Sequence, residues 1–473
     1  EPNTMMQEVG TLMSTGLLTV TPADTVQQVA RLMAEWRVSS AFVVEDDHLL
    51  GIVTDRDLRT RCVAPALPYS TAVRAIMTPD PESIASTETI FATTLLMTQR
   101  GYHHLPVMVD GRLGGIVTVS DLILSRQDDP VYLVQHISRQ KDVQGIKELV
   151  SGMANLMVQW VNSGMRADQV SQILTAISDA ITVRLIQLAE EELGPAPVPW
   201  CWAGFGSQAR GEQLLGADQD NGLIISNEVQ PKHMTWYADL ARFVCDGLNE
   251  CGYVYCPGGV MATTEEWRQP LENWQKTVRR WTLSPTPDAV MRVSIFFDIR
   301  CVHGVSRLCD ELQNTMLEQA SRNSIFLAAL AANVLDVKPP LGIFRRFVVD
   351  HDGEHRDSQD VQKLGVLPVT EIVRLHALAH KIVAVNTDER LQALARGRHM
   401  TIVDSRNLVD ALHFIQQLRM NNQCDQILKA QKVTNFLNPK DLPKMAKEQL
   451  RDAFTIIDEA QSAVRQTYRA GMG

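Results

Sequence analysis

"WAGFGSQARGEQLLGADQDNGLIIS", residues 202–226, opens on glycines, crosses a short polar segment and sets two aspartates before an apolar run. Three folds compete for it: a dinucleotide fingerprint, a metal-dependent nucleotide-transfer site, and a merely acidic hairpin. Gly204, Gly206 and Ala209 match G-x-G-x-x-A after the apolar "PWCWA", and the acidic Glu228 lies about twenty residues on. That fold needs a helix of about ten or more residues to cross back to a parallel strand. Between Ser207 and Asp218 only a short helix fits, broken by Gly211 and Gly216, and both aspartates are left without a role.

The transfer site uses each unusual residue. Asp218 and Asp220 stand two apart at the entry to the strand "NGLIIS", so both point to one face. Two carboxylates on one face repel unless a cation lies between them, and Mg2+ suits that place. A strand-to-helix turn at Gly206-Ser207 would present backbone N–H groups to a polyphosphate, with the Ser207 hydroxyl and Arg210 adding to the cradle. A third carboxylate is then expected on a neighbouring strand. "MRVSIFFDIRCVHG" supplies Asp298, read here at the end of an apolar strand run, where a lone charge would be costly. The acidic hairpin with a buried structural Asp is the plainer alternative.

A gapless shift of 64 residues lays Leu12–Leu58 on Ile76–Leu122. Met13 falls on Met77, Thr25 on Thr89, and "GIVTDRDL" on "GIVTVSDL". Each copy reads as a short strand, a helix, two strands and a final helix starting near the Asp. Thr54 with Asp57, and Thr118 with Asp121, place a hydroxyl and a carboxylate side by side at a strand end. Such a pair can hold a ribose diol while the helix N-terminus faces phosphate, although plain N-capping would also explain it. The repeats resemble a tandem pair of CBS domains, which implies one module binding an adenine nucleotide and a homodimer formed through such modules.

The motif order after the repeats resembles the DNA polymerase beta-like nucleotidyltransferase superfamily. The nearer resemblance is to bacterial CBS-linked nucleotidyltransferases related to protein-PII uridylyltransferase, through "GSQARGEQLLGADQDNGLI", "CPGGVMA" and "FFDIRCVHG". That resemblance implies that Gly206, Ser207 and Arg210 hold a triphosphate and that Asp218 and Asp220 bind two Mg2+ ions. Asp298 would complete one metal site and help activate the acceptor hydroxyl. A nucleoside monophosphate would pass from an NTP to an acceptor, a protein if the likeness to the uridylyltransferase extends that far, and pyrophosphate would leave. The alternative is a non-catalytic signalling protein that uses the same fold to bind nucleotide.

The expected fold class is α+β and multidomain. A CBS pair spans 8–126 (repeats about 8–62 and 72–126), a helical connector 128–193, a mixed-sheet transferase domain 194–305, and a helical substrate-binding domain 306–473. Length suits this, since 473 residues exceed one ordinary core. With 45% hydrophobic and 21% charged residues the chain is globular, and a net charge of −10 argues against a broad nucleic-acid surface. Eight scattered cysteines without a CxxC pair point to reduced thiols and a cytoplasmic protein. No signal peptide is visible and no apolar run reaches about 18 residues, so no membrane partner is expected. The chain lacks an initiating Met, which suggests a segment upstream.

Four weaker signals have bland readings. Trp267, Trp274 and Trp281, spaced by seven, are expected to pack a helix on its sheet. His376 and His380 have zinc-like spacing but no third ligand, and are read as ordinary helix residues. "DHDGEHRD", 350–357, is too irregular for a calcium loop and reads as a solvated turn. Cys251 and Cys256 are taken as core or near-core thiols.

Overall fold

In a computed structural model, which describes residues 6–122, 130–340 and 358–469, the chain divides into two compact units, Glu1–Gln135 and His136–Gly473. The motif "DHDGEHRD" lies outside the described residues.

The quoted stretch lies in the second unit. Its sheet contains β8 (Trp200–Phe205), β9 (Asn221–Ile225), β10 (Arg268–Pro270) and β11 (Ile299–Gly304), in the order β10-β9-β8-β11. Every residue of the two central strands is buried, so they read as unbroken apolar runs with no polar alternation. β8 runs antiparallel to both β9 and β11, while β10 is parallel to β9. The antiparallel β8–β9 link rules out the dinucleotide fold, which needs these strands parallel. Between them only the helix Gly206–Arg210 forms, ended by Gly211 in a left-handed conformation (φ 70°).

One expectation fails here. The apolar run before Asp298 is a helix, Pro287–Phe296, and Asp298 precedes β11 instead of ending a strand. Thr286 caps that helix by accepting from the Ala289 N–H (3.2 Å), and Pro287 opens it. Its buried residues Ala289, Val290, Val293 and Phe296 follow the helical period. Trp267, Trp274 and Trp281 are all buried around Phe296, with Trp274 stacked on it at 4.8 Å, so the stripe is packing.

The helix Ala167–Leu193 packs on Met234–Glu250, where a Cβ on Gly247 would stand 2.7 Å from Leu185. By length and composition it could cross a membrane, but 67% of its most apolar window is buried inside the protein. The later helices Leu367–Ala379, Thr387–Arg396, Ile402–Leu428 and Lys444–Arg469 pack on one another, the first also on Ser306–Ser321. One continuous core runs from Cys201 in β8 through Phe296 to Val464, so the 305/306 boundary lies inside it.

The first unit holds two sheets: β1 (Thr19–Val20), β2 (Ser40–Glu45), β3 (His48–Thr54) and β4 (Thr78–Pro79), then β5 (Ile84–Ala85), β6 (His104–Val109) and β7 (Arg112–Thr118). The 64-residue shift carries the helix Val26–Trp36 onto Ile90–Arg100, and β2 and β3 onto β6 and β7. Both helices begin at a capping threonine, Thr25 or Thr89. The copies then exchange edges. Thr78, near the start of the second copy, pairs with Ile52 in β3, and Ser14, near the start of the first, bridges to Ile116 in β7.

This exchange explains the glycine in each "GIVT". A Cβ on Gly51 would lie 2.4 Å from the Met77 sulfur, and one on Gly115 would lie 2.7 Å from the Met13 sulfur and 2.9 Å from the Ser14 carbonyl. Gly115→Ala should therefore destabilise the first unit by roughly 1–3 kcal/mol through overpacking against backbone. A urea midpoint equal to wild type for the transition of that unit would refute the interlocking.

Candidate active site

Asp218 and Asp220 lie in the segment that leads into β9. Between them Gln219 is buried and donates to the carbonyls of Cys245 (2.8 Å) and Tyr253 (2.9 Å), so its two neighbours turn the other way. The Asp220 carbonyl accepts from the Phe205 N–H (2.9 Å), which fastens the acidic segment to the end of β8. Gly206 follows, with φ 59°, and a Cβ there would stand 3.4 Å from Asp220 Oδ2. Glycine serves twice at this position, in conformation and in the approach it allows.

Burial pushes the Asp220 carboxyl up to about 7. The Asp218 charge adds to that effect, while a Cys256 hydrogen bond (Sγ to Oδ1, 3.5 Å) and the charge of Arg210 oppose it. Burial also raises Asp218. A carboxylate held near neutrality by desolvation and a like charge is what a hard divalent cation would relieve. Among the described residues no group of three or more His, Cys, Asp or Glu side chains is gathered for a metal. Mg2+ needs no such cage, since it commonly takes one or two carboxylates and completes its shell with water and substrate phosphates. Cys256 reaches Asp220 because the loop 256–262 folds back on β9. There the Ala262 N–H donates to Asn221 Oδ1 (2.8 Å) and the Asn221 N–H to the Val260 carbonyl (3.2 Å). Its sequence reading as a core thiol missed this contact.

Asp298, expected as a third metal ligand, is surrounded by arginines. It is fully buried, and its carboxylate accepts from Arg210 (2.7 Å), Arg374 (3.0 and 2.7 Å) and Arg390 (2.7 Å). Burial would push its carboxyl up, but Arg374, Arg390 and Arg210 together hold it well below the usual range. Both of its oxygens are thus engaged by guanidiniums. Arg210, expected on the triphosphate, is spent on Asp298 and lies 3.4 Å from Glu212. The Gly206 N–H, also expected at phosphate, donates to the Asp298 carbonyl (3.1 Å). Ser207 lies in the first turn of Gly206–Arg210, which no side chain caps.

Side chains that no motif flagged hold this turn. Asp179, from the helix Ala167–Leu193, accepts from Gln208 (3.1 Å) and from both terminal nitrogens of Arg300 (2.8 and 3.1 Å). Glu212 accepts from the Thr387 N–H (3.1 Å) and hydroxyl (2.9 Å), and Asn386 donates to the Arg210 carbonyl (2.9 Å). Arg374 alone carried a signal, as a charge within the apolar "EIVRLHALA".

In the first unit both Thr-x-x-Asp pairs come together as reciprocal caps. Asp57 accepts from the Thr54 N–H (3.0 Å) and hydroxyl (3.3 Å), and Asp121 from the Thr118 N–H (2.8 Å) and hydroxyl (2.9 Å). In the C-terminal helices His376 bonds the Tyr468 hydroxyl (2.9 Å) and His380 stacks on His399 at 3.8 Å, so the two form no zinc pair. His376 and His399, with Arg396, Arg398 and Asn407, line a cavity of about 760 Å3.

Family models match along most of this architecture. "Putative nucleotidyltransferase DUF294" matches residues 151–288, "Putative nucleotidyltransferase substrate binding domain" matches 324–468, and the CBS domain matches 9–63 and 73–128. The chain belongs to the CBS-linked DUF294 family. Among curated relatives, the uncharacterized protein YlbB of Bacillus subtilis is 36% identical over 124 residues, 26% of this chain and 84% of YlbB. The CBS domain-containing protein CBSCBSPB1 of Arabidopsis thaliana is 40% identical over 110 residues, 23% of this chain and 20% of the relative. The chain thus spans about a fifth of CBSCBSPB1. Solved structures include an uncharacterized conserved protein of Pyrococcus horikoshii, with 32% identity, 25% of this chain, 91% of that chain and TM-score 0.25. CBSX2 in complex with AMP shows 26% identity, 25% of this chain, 93% of that chain and TM-score 0.22.

For this DUF294 member, Asp298→Asn should lower the unfolding free energy by about 3–5 kcal/mol, because three buried guanidiniums lose their counter-charge. A depressed carboxyl stabilises above the unfolded pKa, near 4, and that stability is lost as pH falls. Urea unfolding at pH 7 and at pH 3 measures both effects. An open metal ligand would instead leave the metal-free mutant as stable as wild type.

Proposed function

We propose that the chain is a Mg2+-dependent nucleotidyltransferase whose CBS pair senses an adenine nucleotide. What carries the reading is the Asp220 carboxylate, part-buried beside Asp218 and against the Gly206 turn. Asp218 and Asp220 would hold the metal. When bound, it would neutralise the triphosphate and the charge that develops on departing pyrophosphate. Gly206 leaves room for phosphate beside Asp220, and Ser207 offers a hydroxyl and an uncapped helix turn. An acceptor hydroxyl then attacks the α-phosphorus and takes the nucleoside monophosphate. The helices from 306 onward, with their cavity, would seat the acceptor. The resemblance of the motifs to those of protein-PII uridylyltransferase makes a protein acceptor the first to try. We place the protein in a bacterial cytoplasm, as a dimer through its CBS pairs.

One observation favours a second reading, a nucleotide-sensing protein without turnover: Asp298 and Arg210 are locked to each other and to buried partners. Incubation with labelled ATP, UTP, CTP and GTP, Mg2+ and cell extract separates the two.

Asp220→Asn should cut Mg2+-dependent transfer by about two orders of magnitude or more. It should also stabilise the metal-free protein at pH 8. A carboxyl raised to about 7 costs stability progressively as pH climbs from about 4 through 7, and the amide removes that cost, on the order of 4 kcal/mol. Wild-type transfer in the mutant would sink the enzyme reading.

For the sensor, AMP, ADP or ATP should raise the melting temperature of the first unit, and Asp57→Ala with Asp121→Ala should erase most of the rise. An undiminished shift in that double mutant would move the nucleotide to another site.

A further inference from the structure

Outside the acidic site, β8 and β11 carry a second reactive arrangement. Cys201 on β8 and Cys301 on β11 lie diagonally across antiparallel strands, Cys301 pairing with Ala203 and Cys201 with Gly304 on either side of a bulge between Cys301 and His303. The Cys201 thiol donates to Cys301, with the sulfurs 3.1 Å apart. Cys309, in the helix Ser306–Ser321, also lies near Cys201. Cys201 and Cys309 are buried, whereas Cys301 is partly exposed. The Cys201 S–H and the adjacent Arg300 charge pull the Cys301 thiol down, against burial, and Cys201 itself is pushed up by its thiol contacts and burial.

An accessible sulfur favoured as thiolate, in contact with a buried thiol that keeps its proton, is the division of labour between an attacking and a resolving cysteine. We propose that Cys201 and Cys301 are a peroxide-responsive pair that closes into a disulfide across β8 and β11. The Cys301 thiolate attacks one oxygen of hydrogen peroxide, breaking the O–O bond, and becomes a sulfenic acid as hydroxide leaves. The Cys201 sulfur then attacks Cys301, the S–O bond breaks, and water departs with the Cys201 proton. Overall two thiols are oxidised by two electrons, one peroxide is reduced, and two waters form. Cys201 and Cys301 have no part in the proposed nucleotide transfer.

The test uses the full-length reduced protein, treated with a small molar excess of hydrogen peroxide, denatured, alkylated with N-ethylmaleimide and mapped by mass spectrometry. Cys201 and Cys301 should leave the alkylated pool together and reappear as one linked peptide that dithiothreitol releases. In Cys201→Ala, Cys301 should instead be trapped by dimedone as its sulfenic acid. The proposal is overturned if Cys251 or Cys256 oxidises while Cys301 stays a thiol, or if Cys301 is found linked to Cys309. Wild-type mapping decides this even if the variant does not fold. The readout is independent of transfer activity, so its failure and that of the enzyme reading are separate.

Discussion

Three guanidiniums share one carboxylate at Asp298, and the second unit depends on that arrangement. Arg210 comes from the turn after β8, Arg374 and Arg390 from helices far along the chain, and the carboxylate from the residue before β11. Burying such charges brings little net stability, because desolvation consumes most of the attraction, yet losing one partner is expensive. The cluster therefore selects one arrangement more than it strengthens it. Greasy helices could slide over a sheet with modest loss. They cannot slide here without stranding a buried charge.

The same cluster sets the character of the acidic site. Arg210 stands between two carboxylates, hydrogen-bonded to Asp298 and close enough to Asp220 to ease its charge. Its backbone carbonyl and the neighbouring Glu212 are held by Asn386 and Thr387 at the start of Thr387–Arg396. The helix Thr387–Arg396 and the turn after β8 are thus fastened to each other.

Much of this was legible in the residues, for local reasons. The repeat register follows from a gapless self-match, and the spacing of Asp218 and Asp220 puts them together whatever surrounds them. The two glycines after "QAR" allowed only a short helix, which already weakened the dinucleotide reading. Asp298 was misjudged because "VMRVSIFF" is apolar enough for a strand, and the decisive Thr286-Pro287 start lies several residues upstream. Its partners Arg374 and Arg390 were hidden for a deeper reason: nothing local says which face of a helix will meet which strand. Cys201 and Cys301 show the same limit, separated by a hundred residues and joined only by strand pairing.

The exchanged edges of the repeats carry a consequence for ancestry. Each copy leaves β3 or β7 to be finished by residues at the start of the other copy, and leaves a glycine groove for the other copy's methionine. A lone copy would have an open strand edge and an unfilled slot. Its single-repeat forebear could have been closed by a second identical chain, each lending the other its leading segment. Fusion of the two genes would then have turned an association between molecules into a covalent one, freeing the halves to diverge while each remained hostage to the other's first dozen residues.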